Sequence, residues 1–131
     1  MSPVTTYHVN PSLTNDDLND LFRVAWPDHT DRDFTPILQH SLVYIGACQD
    51  SRLVGFVNVV WDGGIHAFLL DTTVHPQHQR QGVGAALVQH AITESRARRI
   101  HWLHVDYEPH LEHFYRSCGF QPTLAGLLRL G

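Results

Sequence analysis

Lysine is absent from these 131 residues, and all nine basic side chains are arginines. Without lysine the chain cannot carry the G-x-x-x-x-G-K-S/T phosphate loop. Cysteine is scarce: Cys48 and Cys118 form no C-x-x-C pair and are too few for a disulfide framework. Both lie in apolar surroundings, YIGACQ and YRSCGF, which predicts buried, inert thiols. There is no excess of positive charge, since the formal net charge is −4, and this argues against a nucleic-acid partner. No apolar run approaches the ~20 residues of a membrane helix. The start, MSPVTTYHVN, has neither the basic region nor the apolar stretch of a secretory signal. The expectation is a cytoplasmic protein with no membrane partner.

What is present describes an ordinary globular chain. Hydrophobic residues make up 43% and charged residues 17%, enough for one core in one domain over 1–131. Thr5–Asn10 reads as a first strand. Thr14 is a strong N-cap for TNDDLNDLFRVAW, with Leu18, Leu21, Phe22 and Ala25 on one face and Pro27 as the stop. Asp31–Gln39 reads as a second short helix with Phe34, Ile37 and Leu38 inward. Leu42–Cys48 and Arg52–Trp61 form a hairpin across Gln49-Asp50-Ser51, and Asp62-Gly63-Gly64 turns into the strand Ile65–Val74. A helix follows from Gly82 to about Arg98, then a strand Ile100–Tyr107. The helix PHLEHFYRSC comes next, closed by Gly119. Phe120–Thr123 and Leu127–Leu130 complete the pattern as a hairpin. The order predicts an α/β fold, a mixed and mostly antiparallel central sheet flanked by helices on both faces.

The stretch FLLDTTVHPQHQRQGVGAALVQHAI carries the chemistry. A strand runs through a polar loop and a glycine pair into a long helix. The first amides of a helix lack intrahelical partners and carry the positive end of its dipole. Gly82 and Gly84, lacking Cβ atoms, let a bulky anion approach those amides, which makes a pyrophosphate site. Only G-x-G is present, without the third glycine of a dinucleotide fingerprint.

Gln79-Arg80-Gln81-Gly82-Val83-Gly84 matches the Q/R-x-x-G-x-G/A motif of the GCN5-related N-acetyltransferase family. It follows a strand ending Val74-His75-Pro76, and downstream His113-Phe114-Tyr115-Arg116-Ser117-Cys118-Gly119-Phe120 resembles the family's F-Y-x-x-x-G-F segment. The resemblance covers essentially the whole chain. It implies acetyl-coenzyme A as co-substrate, with the pyrophosphate on the amides of Gln79, Gln81, Gly82, Val83, Gly84 and Ala85. It implies a strand that splays from its neighbour, with backbone groups near Val74 binding the thioester and pantetheine arm. It also implies Tyr115 as general acid for the departing thiolate, the alternative being a core tyrosine with its hydroxyl at the surface. Glu108 departs from the family, which commonly has asparagine seven residues before this tyrosine. A carboxylate cannot donate a hydrogen bond as an amide can, so Glu108 is expected to act in acceptor recognition or as a base rather than on the cofactor.

An ammonium acceptor must lose a proton before it attacks. Asp71 is the candidate base by its position on the strand beside the thioester, sharing a face with Thr73 by alternation; water-mediated deprotonation is the alternative. The acceptor side is expected from the first two helices, their connection and the central strands, with Trp26, Tyr44 and Trp61 as lining residues and Asp28, Asp31 and Asp33 nearby. His101, His104, His110 and His113 do not make a zinc set, because the two on the strand point to opposite faces, and no metal is expected. The reading is an acetyl transfer to an unidentified amine in a ternary complex. Its rivals are an acyl-coenzyme A sensor with weak catalysis, which the Glu108 departure favours, and a non-enzymatic interaction protein. A homodimer through the terminal hairpin or another exposed edge fits any of them.

Overall fold

The computed structural model describes residues 4–131. Five strands form one sheet in the order β1-β2-β3-β4-β5: β1 Thr6–Val9, β2 Ser41–Gln49, β3 Arg52–Trp61, β4 His66–Val74 and β5 Trp102–His104. The first four run antiparallel, and β5 lies parallel to β4. Four helices accompany them: α1 Asn15–Ala25, α2 Thr35–Gln39, α3 Val83–Ala97 and α4 Glu112–Ser117.

Local chemistry sets the ends of α1. The Thr14 hydroxyl accepts from the Asp17 amide at 3.0 Å and the Asp17 carboxylate accepts from the Thr14 amide at 2.9 Å. That reciprocal box is worth about 1 kcal/mol. Pro27 follows the last turn. Leu18, Leu21 and Phe22 of α1, with Phe34, bury themselves on Leu53 and Phe56 of β3. On the opposite face Leu87, Val88 and Ala91 of α3 pack on Val43, Ile45, Val57, Val59 and Ala67. Each fully buried leucine contributes roughly 1.5–3 kcal/mol. The helices thus lie on both faces of a mixed sheet, as the element order predicted.

Four sequence expectations need correction. The second helix is Thr35–Gln39, not Asp31–Gln39, because Asp33 turns its carboxylate onto the Thr35 amide at the helix start, and residues 31–34 stay irregular. The strand expected over Ile100–Tyr107 is only Trp102–His104, since β4 pairs with it no further than Phe68. The helix PHLEHFYRSC splits into a 3-10 turn, Pro109–Leu111, and α4. The closing hairpin is absent. Residues 121–131 are exposed and irregular, with Leu124, Leu127, Leu128 and Leu130 all outward. Pro122 supplies no amide, and the adjacent Leu127 and Leu128 cannot both face one side of a strand. The pairing edge expected from that hairpin is lost with it.

Gly55 has a role that the sequence reading missed. A Cβ there would lie 2.9 Å from Leu87 Cδ1 and 3.1 Å from Val83 Cγ1, so glycine at this position lets α3 settle closely on β3. Gly55→Val should destabilise the fold by about 1–3 kcal/mol through overpacking, measured as a lower urea midpoint with an unchanged slope.

Candidate active site

Strands β4 and β5 part company early. Their register covers His66–Phe68 against Trp102–His104, while β4 continues to Val74. The edge of β4 from Leu69 onward is therefore open on the β5 side. At its far end, the His75 amide bonds back to Val54 O on β3 at 2.8 Å. Because backbone groups alternate along a strand, the Val74 N–H and C=O point the other way, into the gap.

That gap leads to the start of α3. Gly82 is its N-cap at φ 80, a left-handed conformation that only glycine adopts without strain. The first helical bond is from the Ala86 amide to Gly82 O at 3.0 Å, which leaves the amides of Val83, Gly84 and Ala85 at an open terminus. Gln79 and Gln81 are exposed beside it, and Arg80 between them also has positive φ, 63°. Left-handed residues alternating with ordinary ones curl a loop into an amide-lined hollow suited to anions. Gly84 sits 3.5–3.6 Å from Phe114 and Val74 through its virtual Cβ, so it brings the helix start, β4 and α4 together. The donor set and its open approach fit a pyrophosphate.

A neutral histidine anchors the loop. His75 is buried, its Nδ1 accepts from the Gln77 amide at 3.1 Å, and Arg52 Nη2 lies 2.9 Å from its Nε2. Burial, followed by the charges of Arg52 and His78, holds its pKa below the ordinary value.

Tyr115 stands across the gap on α4, packed against Tyr107 with ring centroids 5.0 Å apart and edge-on to Phe114. Its ring is buried, and its hydroxyl donates to Thr72 Oγ1 at 3.3 Å. Burial raises the phenol's pKa; the Thr72 contact opposes this, and Cys118 and Asp106 add to it. A phenol so held stays protonated at neutral pH and can donate to an anion formed between it and Val74.

The sequence did not disclose a bulge in β4. Phe56 registers with Thr73 and Asn58 with Leu70, so Asp71 and Thr72 together face Val57. Asp71 takes φ 58, a conformation Asp tolerates better than most residues. The bulge sends Thr72 toward Tyr115, while Leu70 and Asp71 both line a shallow groove of about 450 Å³ under α2, with Asn58, Val60, Ile37 and His40. Thr73 lies on the α1 side with Asp71, donates to the Asp71 carbonyl at 2.9 Å, and accepts from Trp26 Nε1 at 3.1 Å. Desolvation raises the Asp71 carboxyl above the usual carboxylate range and Arg32 opposes it, although the groove leaves its top open to solvent. Asn58 is fully buried at the groove floor. Its Oδ1 accepts from Ser41 and its Nδ2 has no partner, an orphan costing about 1–3 kcal/mol.

The other expected residues scatter. Trp26 reaches β4 through its bond to Thr73 and does not line the groove. Tyr44 lies a strand away beneath the helices, its hydroxyl donating to Pro11 O at 3.0 Å. Trp61 registers with Ala67 and so lies on the α3 side. Glu108 is exposed, 3.6 Å from His110 Nδ1. Asp31 binds Arg23 at 2.6 Å, and Asp33 accepts from Thr35 and Asn15. Cys48 is half-buried and Cys118 buried, and burial raises both thiols, in keeping with inert cysteines.

The model of the acetyltransferase (GNAT) family matches residues 12–120. An uncharacterised N-acetyltransferase of Porphyra purpurea, ycf52, is 31% identical over 101 residues, which covers 74% of this chain and 58% of that protein. The chain thus spans little more than half the length of such relatives. A GNAT-family acetyltransferase of Streptococcus pneumoniae superposes with a TM-score of 0.80 at 26% identity, covering 98% of each chain. The aminoglycoside N-acetyltransferase AAC(6')-Iy, solved with coenzyme A, gives 0.78 at 15% identity over 100% of this chain and 97% of its own, a likeness of fold alone.

A raised folded-state pKa contributes stability below the unfolded value, and that contribution is lost as pH rises through the folded one. Asp71 is therefore a liability at neutral pH. Asp71→Asn, which keeps the shape and tolerates the same φ, should melt higher than wild type at pH 7. The difference should vanish near pH 3, as thermal melts across that range would read.

Proposed function

Because the chain belongs to the acetyltransferase (GNAT) family, we propose that it moves an acetyl group from acetyl-coenzyme A to a primary amine by direct attack in a ternary complex. The observation that carries this reading is the open stretch of β4, with an amide-rich helix start at one end, the Tyr115 hydroxyl on one face and Asp71 on the other.

In this reading the amides of Gln79, Gln81, Gly82, Val83, Gly84 and Ala85 hold the pyrophosphate. The N–H and C=O of Val74 satisfy the pantetheine arm and orient the thioester. Acetyl-coenzyme A supplies an activated acyl carbon. Asp71 takes the proton that an ammonium must lose, directly or through water, and the freed nitrogen forms the N–C bond as the C–S bond breaks. Tyr115 gives its phenolic proton to the departing thiolate, and the second proton that the acylated nitrogen sheds passes to solvent, from which Tyr115 is reprotonated. Proton transfers of this kind are typically worth 10²–10⁴-fold in rate.

Two measurements test the reading. Tyr115→Phe should lower kcat by roughly 10²-fold or more while calorimetric affinity for coenzyme A stays within a few-fold; unchanged turnover would remove the acid role. A Gly82→Glu, Gly84→Glu variant puts carboxylates at the helix start and should abolish acetyl-coenzyme A binding while its circular dichroism remains that of wild type. A folded wild-type protein that binds no acetyl-coenzyme A would sink the function. Binding without turnover on any amine would favour the sensor.

A further inference from the structure

The groove on the α2 side of β4 carries a reading of the acceptor, and that reading rests on the acetyltransferase function proposed above. Its one carboxylate is Asp71. The neighbouring acids are committed elsewhere: Asp31 is bound to Arg23, and Asp33 to the Thr35 amide and Asn15. Arg32 is the cation acting on Asp71, so a second positive charge on a ligand would meet repulsion rather than a partner. His40 lines the groove from α2, with Nδ1 2.7 Å from Pro36 O. A groove of this kind accepts a single ammonium. It is poorly made for a polyamine or an aminosugar, whose several charges need several carboxylates.

Away from Asp71 the same sheet face is apolar and uncovered. Val60 registers with Phe68, and Phe68 with His104 of β5. Leu70 is 39% exposed, Phe68 44% and Trp102 62%. The Phe68 ring stacks on His104 at 4.6 Å between centroids, and His104 Nε2 lies 2.9 Å from His66 Nδ1. These side chains form a shelf that continues the groove for about 13 Å from Leu70 to His66, at roughly 3.3 Å per residue. An exposed apolar shelf of that length, running from a lone carboxylate, marks a binding surface.

We infer that the acceptor is a primary monoamine on a compact, flat, apolar body, the arylalkylamine class, with its nitrogen at Asp71 and its ring on Leu70, Val60 and Phe68. The class follows from charge count and surface chemistry together: one anion for one cation, and aromatic and branched side chains for a ring that has no charge of its own.

The test uses the purified full chain with acetyl-coenzyme A and three acceptors: phenethylamine, spermidine and a lysine-bearing peptide. Phenethylamine should exceed the other two in kcat/KM by on the order of 100-fold. Leu70→Glu, a substitution at a half-exposed position, should raise the phenethylamine KM at least tenfold and narrow the gap to spermidine, whereas Leu70→Ile, which keeps an apolar contact of altered shape, should raise that KM far less. Both variants should bind acetyl-coenzyme A as wild type does in calorimetry. A preference for spermidine or the peptide, with acetyl-coenzyme A binding intact, overturns the acceptor class and leaves the acetyltransferase reading standing. A second readout needs no turnover. Millimolar phenethylamine alone should shift the methyl resonances of Leu70, Val60 and Ile37 saturably in wild type and not in Leu70→Glu. Unmoved methyls overturn the proposal. So do signals of this shelf that change on dilution without amine, because a second copy of the chain would then be its occupant.

Discussion

The β4 strand is hydrogen-bonded on both edges over only its first three residues, and the chemistry of the molecule depends on what happens after that. Beyond Phe68 the β5 side is open, and at Asp71–Thr72 an extra residue enters against Val57. Backbone donors and acceptors of a buried strand must find partners. Where the sheet supplies none, a ligand with amides of its own can. The bulge also lets Leu70 and Asp71 share one face while Thr72 turns to the other, which regular alternation forbids. A strand that paired continuously would present neither an open edge nor two differently furnished faces.

Opening a sheet at its middle needs a firm frame. Residues Leu53–Val59 of β3 are all buried, and α3 is drawn close to this strand by the missing side chain at Gly55. The two helical layers bury separate apolar clusters on opposite faces, so the frame does not rely on the β4–β5 contact. The positive φ at Asp71 and the orphan at Asn58 are the kinds of local cost a stable frame can carry at a functional position. They lie next to each other and next to the gap.

Much of this was legible in the sequence, for identifiable reasons. Thr14 with Asp17 fixes the start of α1 by short-range hydrogen bonds. The Gly82–Gly84 pair fixes the open start of α3 because only glycine enters the left-handed cap freely. The F-Y segment put Tyr115 on the helix facing β4. The illegible parts arise from contacts remote in sequence. The bulge left one trace, the polar run Asp71-Thr72-Thr73 after an apolar strand, and that trace does not state which residue is extra. Gly55, alone among apolar neighbours, was a signal of close approach whose partner helix lay thirty residues on. Trp61 was misassigned to the acceptor side because its face depends on register with Ala67. Tyr44 has the right face but is taken up by the Pro11 carbonyl. The terminal hairpin failed because apolar residues alone do not make a strand without alternation and a partner edge.

The division of labour across β4 also bears on how a carboxylate can serve as the proposed base. An Asp in free water is too weak a base to hold an ammonium proton for long. Packing against β3 and α2 weakens the hydration of Asp71 and raises its affinity for a proton, and Arg32 offsets part of that rise. Burial thus makes the group more basic than a surface aspartate, with Arg32 limiting the effect. An apolar body seated on Leu70 would remove more water from the carboxylate and strengthen both its basicity and its pull on one ammonium. Binding of the acceptor and activation of its nitrogen would then be a single event, which a polycation with its retained hydration could not bring about as well. The apolar shelf and the lone carboxylate make chemical sense as one device.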